Sequence, residues 1–265
     1  GAQLRAHFGE LDQEMRLAAR LQRDFLPDLS EPIGGLHFAA VYRPASWVSG
    51  DIYDVFRIDE QHVGFYIADA VGHGVSAGLL TMFIKRAVVP KRIVSGGYEL
   101  NSPSEVIAGL NAALVEQALP HCQFITAAYG IINTETLLLR YARGGHPYPM
   151  LIRADGSTTD LHAPGGLLGL ADGDDYPTRE AQLAPGDKLL LYSDGVETEF
   201  GVGGTAGETP ENGPTAYRGA FAAVAGHDIA EMLRQLNDQL DSERGSLSAR
   251  DDVTLLGVQV PVPGR

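Results

Sequence analysis

The chain has 265 residues, 44% of them hydrophobic and 20% charged, which is enough apolar material for one large domain, or a domain with an appendage, and too much for a disordered chain. Its formal net charge of −14 excludes a nucleic-acid-binding surface, which needs a basic track, but not a phosphorylated substrate, because a local cation inverts the sign of a site. The single cysteine, Cys122, has no partner for an internal disulfide, and no apolar run approaches the ~18 residues of a membrane span, so a cytoplasmic setting without membrane insertion is expected.

The chain opens on Gly1-Ala2 with no Met, and an upstream sensor or anchor region is expected ahead of it. Residues Leu4 to Leu26 predict a helix. Leu4, Phe8, Leu11, Met15, Ala18 and Phe25 fall on a four-three spacing, Gln22 holds its one polar seam position, and Leu17 and Leu21 add a second flank. About three heptads make a marginal coiled coil, so a dimer seam and a helix packed on its own domain stand as alternatives. Pro27 and "SEPIGG" stop the helix, setting residues 1–32 apart as a helical linker and 33–265 as the main domain.

From Leu36 onward short strands are predicted in "LHFAAVYRP", "IYDVFRID" and "HVGFYIADA", rich in β-branched and aromatic residues and broken by turn residues. Helices follow over Gly74 to Val89 and Pro103 to Leu119, the second with Ser102 as its cap and Pro103 at its first position. Strands resume in "FITAAYGIIN", "TLLLRYARGG", "YPMLIRAD" and "DKLLLYSDG". The segment "GVGGTAGETPENGP" is expected to be a mobile loop, and a helix over Asp228 to Leu240 and a strand over Asp252 to Val260 close the domain. Strands in runs with helices in a block predict an α+β fold built on antiparallel sheets.

Four acids stand where predicted strands meet turns: Asp51 in "SGDIYD", Asp69 in "IADAVGHG", Asp194 in "LLLYSDGVET" and Asp251 in "ARDDVTLL". Apolar flanks predict carboxylates at the rim of a core. One Asp before a Gly is readily a simple turn-maker. Four together repel unless something positive lies between them, and hard oxygen donors of this kind suit Mg²⁺ or Mn²⁺. Zinc is disfavoured, because the lone Cys and scattered His give no ligand spacing.

In this order and spacing, "SGDIYD", "IADAVGHGVSAGLL", "YARGGHPYPMLI", "PGGLLGL", "PGDKLLLYSDGVET" and "RDDVTLLGV" resemble the PPM family of metal-dependent protein phosphatases, in its bacterial SpoIIE- and RsbU-like branch. The resemblance runs from about Ile33 to Val260, and "ARLQRDFLP" resembles the linker helix that often joins this domain to a sensor. It implies an α-β-β-α sandwich of two antiparallel sheets flanked by helices, with two Mn²⁺ or Mg²⁺ ions between the sheets.

By that resemblance Asp69 bridges both ions, the backbone carbonyl of Ala70 binds one, Asp51 holds that ion's water shell, and Asp194 and Asp251 ligate the other. Asp252 orients its neighbour or caps the turn, and Asp54 is a structural acceptor rather than part of the site. The implied reaction is in-line attack on a phosphoserine or phosphothreonine by a metal-bridging hydroxide, whose pKa the two cations lower. No Cys stands in a Cys-x5-Arg loop to form a phosphoenzyme, and Cys122 reads as an inert small residue. His73 is either a proton donor to the leaving oxygen or a turn-holding side chain. His146 is expected to fix a loop near the site, and Arg43 or Arg143 to meet the phosphate.

Gly72 and Gly74 lack the Lys-Ser/Thr of a nucleotide cradle and read as turn-makers. The implied partner is a phosphorylated anti-sigma-factor antagonist, with the N-terminal helix relaying a signal through dimer packing. A partner-binding pseudophosphatase is the alternative reading. A nuclease or phosphodiesterase conflicts with the acidic charge.

Overall fold

The computed structural model describes residues 2–72, 74–118, 124–200, 216–244 and 251–264. His73, Cys122 and the glycine-rich segment after Phe200 lie outside the described residues, and so do the side chains of Leu4 and Phe8.

Helix α1 (Ala2–Asp24) leads into β1 (His37–Arg43), β2 (Asp51–Arg57) and β3 (His62–Ala70). Next come α2 (Val75–Ala87), the hairpin β4 (Lys91–Val94) and β5 (Gly97–Leu100), and α3 (Pro103–Glu116). Strands β6 (Ile125–Asn133), β7 (Leu138–Gly144), β8 (Met150–Ile152), β9 (Thr158–Asp160), β10 (Arg179–Gln182) and β11 (Lys188–Tyr192) follow. The chain closes with α4 (Gly195–Phe200), α5 (Ala216–Val224), α6 (Ile229–Arg244) and β12 (Val253–Gln259).

Two five-stranded antiparallel sheets form, ordered β1-β12-β11-β8-β9 and β10-β7-β6-β3-β2. One apolar layer lies between them, joining Phe38, Leu189, Leu191 and Leu256 of the first sheet to Val55, Phe65, Ile67 and Leu139 of the second. The outer face of the first sheet is covered by α4, α5 and α6 through Phe200, Phe221 and Met232. That of the second is covered by α2 and α3 through Leu80, Ile84, Ile107 and Leu110. The expected α-β-β-α sandwich is thus the observed one. At α3 the capping residues act as read: Ser102 accepts from the Glu105 N–H (3.2 Å) while the Glu105 carboxylate accepts from the Ser102 N–H (2.7 Å).

Helix α1 departs from the simple seam reading. Gln22, the polar seam position, is buried against its own domain. Its Nε2 donates to the Ser49 carbonyl (2.8 Å) and to Thr81 Oγ1 (3.0 Å), and its Oε1 accepts from the Ser49 N–H (2.9 Å). One side chain therefore joins α1, the loop entering β2 and the second turn of α2. Leu11, Leu17, Leu21 and Phe25 are meanwhile about half exposed, at 46–51%. Replacing Gln22 with Ala strands buried Ser49 groups, each orphan costing about 1–3 kcal/mol. Amide exchange along α1 is expected to rise markedly while exchange in β3 and β6 stays protected. Unchanged α1 protection would show that the clasp is dispensable.

Candidate metal centre

Strand pairing brings the first two acids together. In the antiparallel ladders Asp51 lies directly opposite Asp69, and Asp69 directly opposite Thr126, so the three side chains stand in a row on one face across β2, β3 and β6. The other two acids come from the opposite sheet. Asp194 follows the end of β11 where α4 begins, and Asp251 precedes β12, the partner of β11. The sheets are tied at this end by Thr254 of β12, whose hydroxyl donates to Asp51 Oδ2 at 2.6 Å. Ser193 and Thr254 pair in turn, the Ser193 N–H with the Thr254 carbonyl (3.0 Å) and the Thr254 N–H with Ser193 Oγ (3.0 Å).

Asp51 is buried and Asp69 half-buried, while Asp194 and Asp251 stand exposed at the rim, more open than their apolar flanks predict. The Asp51 carboxyl is pushed up to about 7, first by burial and then by Asp252 and Asp194, with the Thr254 and Ser193 hydroxyls pulling the other way. Asp69 is pushed up further, to about 9, by burial, by the charges of Asp51, Asp194 and Asp251, and by a proton shared with Asp194. Asp251 is also raised, first by burial.

None of the four makes an ion pair with Lys or Arg among the described residues. Nor are any three Asp, Glu, His or Cys side chains gathered there into a ready chelate. The four acids lie within electrostatic reach of one another. An all-oxygen donor set of uncompensated carboxylates fits a hard divalent cation such as Mg²⁺ or Mn²⁺.

The neighbouring acids have other duties. Asp252 spends both oxygens on the loop entering β2, accepting from the Ala45 N–H (2.6 Å) and the Gly50 N–H (2.7 Å), while its own N–H donates to Asp251 Oδ1 (2.9 Å). Its carboxylate thus positions the segment leading to Asp51, where an orienting contact to Asp251 or a turn cap was expected. Asp54 is ion-paired to Lys85 of α2 at 2.6 Å and accepts from the Val55 N–H, a structural role. Ala70 ends β3, its N–H donating to the Gly50 carbonyl (2.9 Å). Gly72 and Gly74 both take positive φ, at 109° and 80°, so they turn the chain sharply between Asp69 and α2.

Of the two phosphate-binding candidates, Arg43 is held by α6, through the Asn237 side chain (3.0 Å) and Asp241 (2.6 Å). Arg143 lines a cleft of about 370 Å³ together with Asp194, Thr126, Tyr148, Glu197 and Arg218. His146, buried in the cleft wall, bonds Thr126 Oγ1 through Nδ1 at 2.8 Å, and its Nε2 has no hydrogen-bond partner. Burial and the nearby Arg143 charge lower it to about 3, although the Tyr192 carbonyl pulls weakly upward. A histidine so depressed is neutral at pH 7, and it orients the threonine facing Asp69, in line with the loop-fixing role expected of it. Arg218, bidentate with Asp160 (3.0 and 2.6 Å), gave no local signal, since its partner lies 58 residues away.

Close approach of backbone fixes Asp194. A Cβ on Gly195 would lie 1.8 Å from the Asp252 carbonyl oxygen, which is backbone and has nowhere to move. Gly195→Ala is expected to cost about 2–3 kcal/mol in thermal unfolding and to displace the start of α4 together with Asp194. A variant with unchanged melting temperature would show that the contact relaxes freely.

Residues 59–261 match the family model described as Stage II sporulation protein E (SpoIIE). The chain is 32% identical over 190 residues to the phosphoserine phosphatase RsbU of Bacillus subtilis, covering 71% of this chain and 54% of that protein. It is 30% identical over 256 residues to the phosphoserine phosphatase RsbP of the same organism, covering 94% and 58%. The chain thus spans a little over half the length of these curated relatives. Its fold superposes on the SiaA-PP2C domain of Pseudomonas aeruginosa with a TM-score of 0.79 at 24% identity, over 96% of this chain and 98% of that one. Asp69, Asp194 and Asp251 stand within the matched segment and Asp51 just ahead of it, and the chain belongs to the SpoIIE family.

Proposed function

We propose that the chain is a metal-dependent protein phosphatase that hydrolyses phosphoserine or phosphothreonine on a regulatory protein. The observation that carries this reading is the convergence of Asp51, Asp69, Asp194 and Asp251 from the ends of both sheets with no cationic partner among the described residues. The names of the relatives, phosphoserine phosphatases, support the substrate class.

Two Mn²⁺ or Mg²⁺ ions bound here would supply an acidified water and neutralise charge on the phosphoryl oxygens. Asp51, Asp69, the Ala70 carbonyl, Asp194 and Asp251 are the groups that would hold those ions. The chain's own contribution is positional. Thr254 fixes the Asp51 carboxylate, Asp252 sets the loop leading to it, and Gly195 lets Asp194 sit tightly against the β12 entry. The His146–Thr126 pair stiffens the strand facing Asp69. His73, by resemblance a proton donor to the leaving oxygen or a turn-holding side chain, lies outside the described residues.

A phosphorylated anti-sigma-factor antagonist fits as substrate, and residues 1–32 fit a linker that pairs with a second copy through the half-exposed leucines of α1. No helix among the described residues is long and apolar enough to cross a membrane.

The test is phosphate release from a phosphoserine peptide with Mn²⁺ and with chelator. Release that requires the metal and is lost on chelation is expected. Chelator-insensitive release would overturn the two-metal reading, and metal binding without turnover would favour a partner-binding module.

A further inference from the structure

The cleft beside Asp194 contains a charge that metal chemistry leaves unused. Arg143 lies half-buried in its wall and is held rigidly. Its Nε donates to the Ala163 carbonyl at 2.9 Å, its Nη1 donates to the His146 carbonyl, and its Cζ lies 4.4 Å from the centroid of the Tyr148 ring. These contacts use two of the guanidinium's N–H donors and leave the others, with the whole positive charge, unmatched by any acid among the described residues. Burial lowers the Arg143 pKa, the mark of a cation kept out of water without an acidic partner. The other guanidinium of the cleft, Arg218, is neutralised by its bidentate pairing with Asp160. Arg143 is thus an immobilised, uncompensated cation on a chain of net charge −14.

A planar guanidinium fixed by stacking and by carbonyls is preorganised for an oxyanion, because little freedom is lost on binding. The cleft is far larger than one phosphoryl group and carries three tyrosines on its lining, of which Tyr192 and Tyr217 are buried and Tyr148 is partly exposed. That shape suits a stretch of polypeptide extending from the reacting serine.

We propose that Arg143 is a specificity residue, which pairs with an Asp or Glu of the substrate polypeptide within about three residues of the phosphoserine, while the adjoining chain lies against Tyr148. Glu197, on the same cleft, disfavours a second acid. The proposal rests on the phosphatase reading only for the identity of the bound polypeptide.

The test is a set of phosphoserine peptides carrying one Glu at each position from three before to three after the phosphoserine, each matched with a Gln counterpart. With Mn²⁺, one Glu position is expected to raise kcat/KM about tenfold over its Gln partner, through KM, as a charge-assisted pair would. In Arg143→Gln that ratio falls to near one, and Arg143→Lys restores part of it. The ratio compares two substrates in one preparation, so a partly unfolded variant leaves it interpretable. No preferred Glu position, or a preference that survives Arg143→Gln, overturns the proposal. Equal losses on Glu and Gln peptides also overturn it, because they place the phosphoryl group itself on Arg143.

Anisotropy of the labelled, unphosphorylated peptides with chelator present separates the two readings. An Arg143-dependent Glu preference in affinity without any phosphate release sustains the docking seat and sinks the phosphatase. Metal-dependent release with no Glu preference in either assay does the reverse.

Discussion

Asp69→Asn is expected to lower phosphatase activity by about 10³-fold or more while raising the melting temperature of the metal-free protein. Both effects have one cause. Asp69 stands between Asp51, directly opposite on β2, and the acids of the other sheet, and it is pushed up to about 9 by burial and by those charges. Without a cation, every ionised form of the cluster stores repulsion in a poorly hydrated place. An amide of the same shape removes it, and each kcal/mol recovered shifts the melting temperature of a chain this long by about 2–4 °C. The same amide removes the charge that makes the cluster a divalent-cation site, so Mn²⁺ should stabilise the wild type and leave the variant nearly unmoved. Stability given up at a functional site is the expected pattern for an enzyme. Differential scanning with and without Mn²⁺, beside the phosphopeptide assay, reads all three quantities. A variant that is less stable without metal, or that still responds fully to Mn²⁺, would remove Asp69 from the centre of the site.

How much of this was legible in the sequence depended on the range of the interaction involved. The longer strands of both sheets announced themselves through β-branched runs, and Ser102 with Glu105 announced the start of α3, because those signals lie within a few residues of one another. The four acids were legible as strand-end acids. Their meeting was expected from the family resemblance and not from any local pattern, since it depends on the Asp51–Asp69 register and on Thr254 reaching across from the other sheet.

Gln22 was ambiguous for the same reason. A polar residue on an apolar seam suggests a partner helix, yet its partners are Ser49 and Thr81, which no local pattern identifies. The hairpin β4–β5 carried a readable signal, Gly96-Gly97 between β-branched and aromatic residues, but β9 and β10 are too short for any period to show. At six residues α4 has the same difficulty.

The second large effect is a pH dependence that metal reverses. In the unfolded chain Asp51 and Asp69 titrate near the ordinary Asp value, about 3.9. In the folded, metal-free protein they hold their protons to about 7 and about 9. Between these values the folded state binds more protons than the unfolded one, so stability falls as pH rises, by about 1.4 kcal/mol per pH unit for each proton held.

His146 opposes this. Its folded value near 3 lies below the ordinary 6.5, so it contributes stability that is present above pH ~6.5 and lost on acidification toward 3. From about pH 4 to 6.5 the two raised carboxyls outnumber the one depressed imidazole and the net slope is still downward. Above 6.5 the histidine no longer contributes and the fall steepens until Asp51 has ionised, then continues more gently toward pH 9. Asp251, also raised, adds to the same side.

Saturating Mn²⁺ changes the sign, because cations between the carboxylates favour their ionised forms and compete with protons for them. Denaturant melts with chelator across pH 5 to 9 should therefore lose stability as pH rises, and melts with Mn²⁺ should gain it or stay level. Identical pH profiles with and without metal would mean that these carboxylates are not where the cation binds.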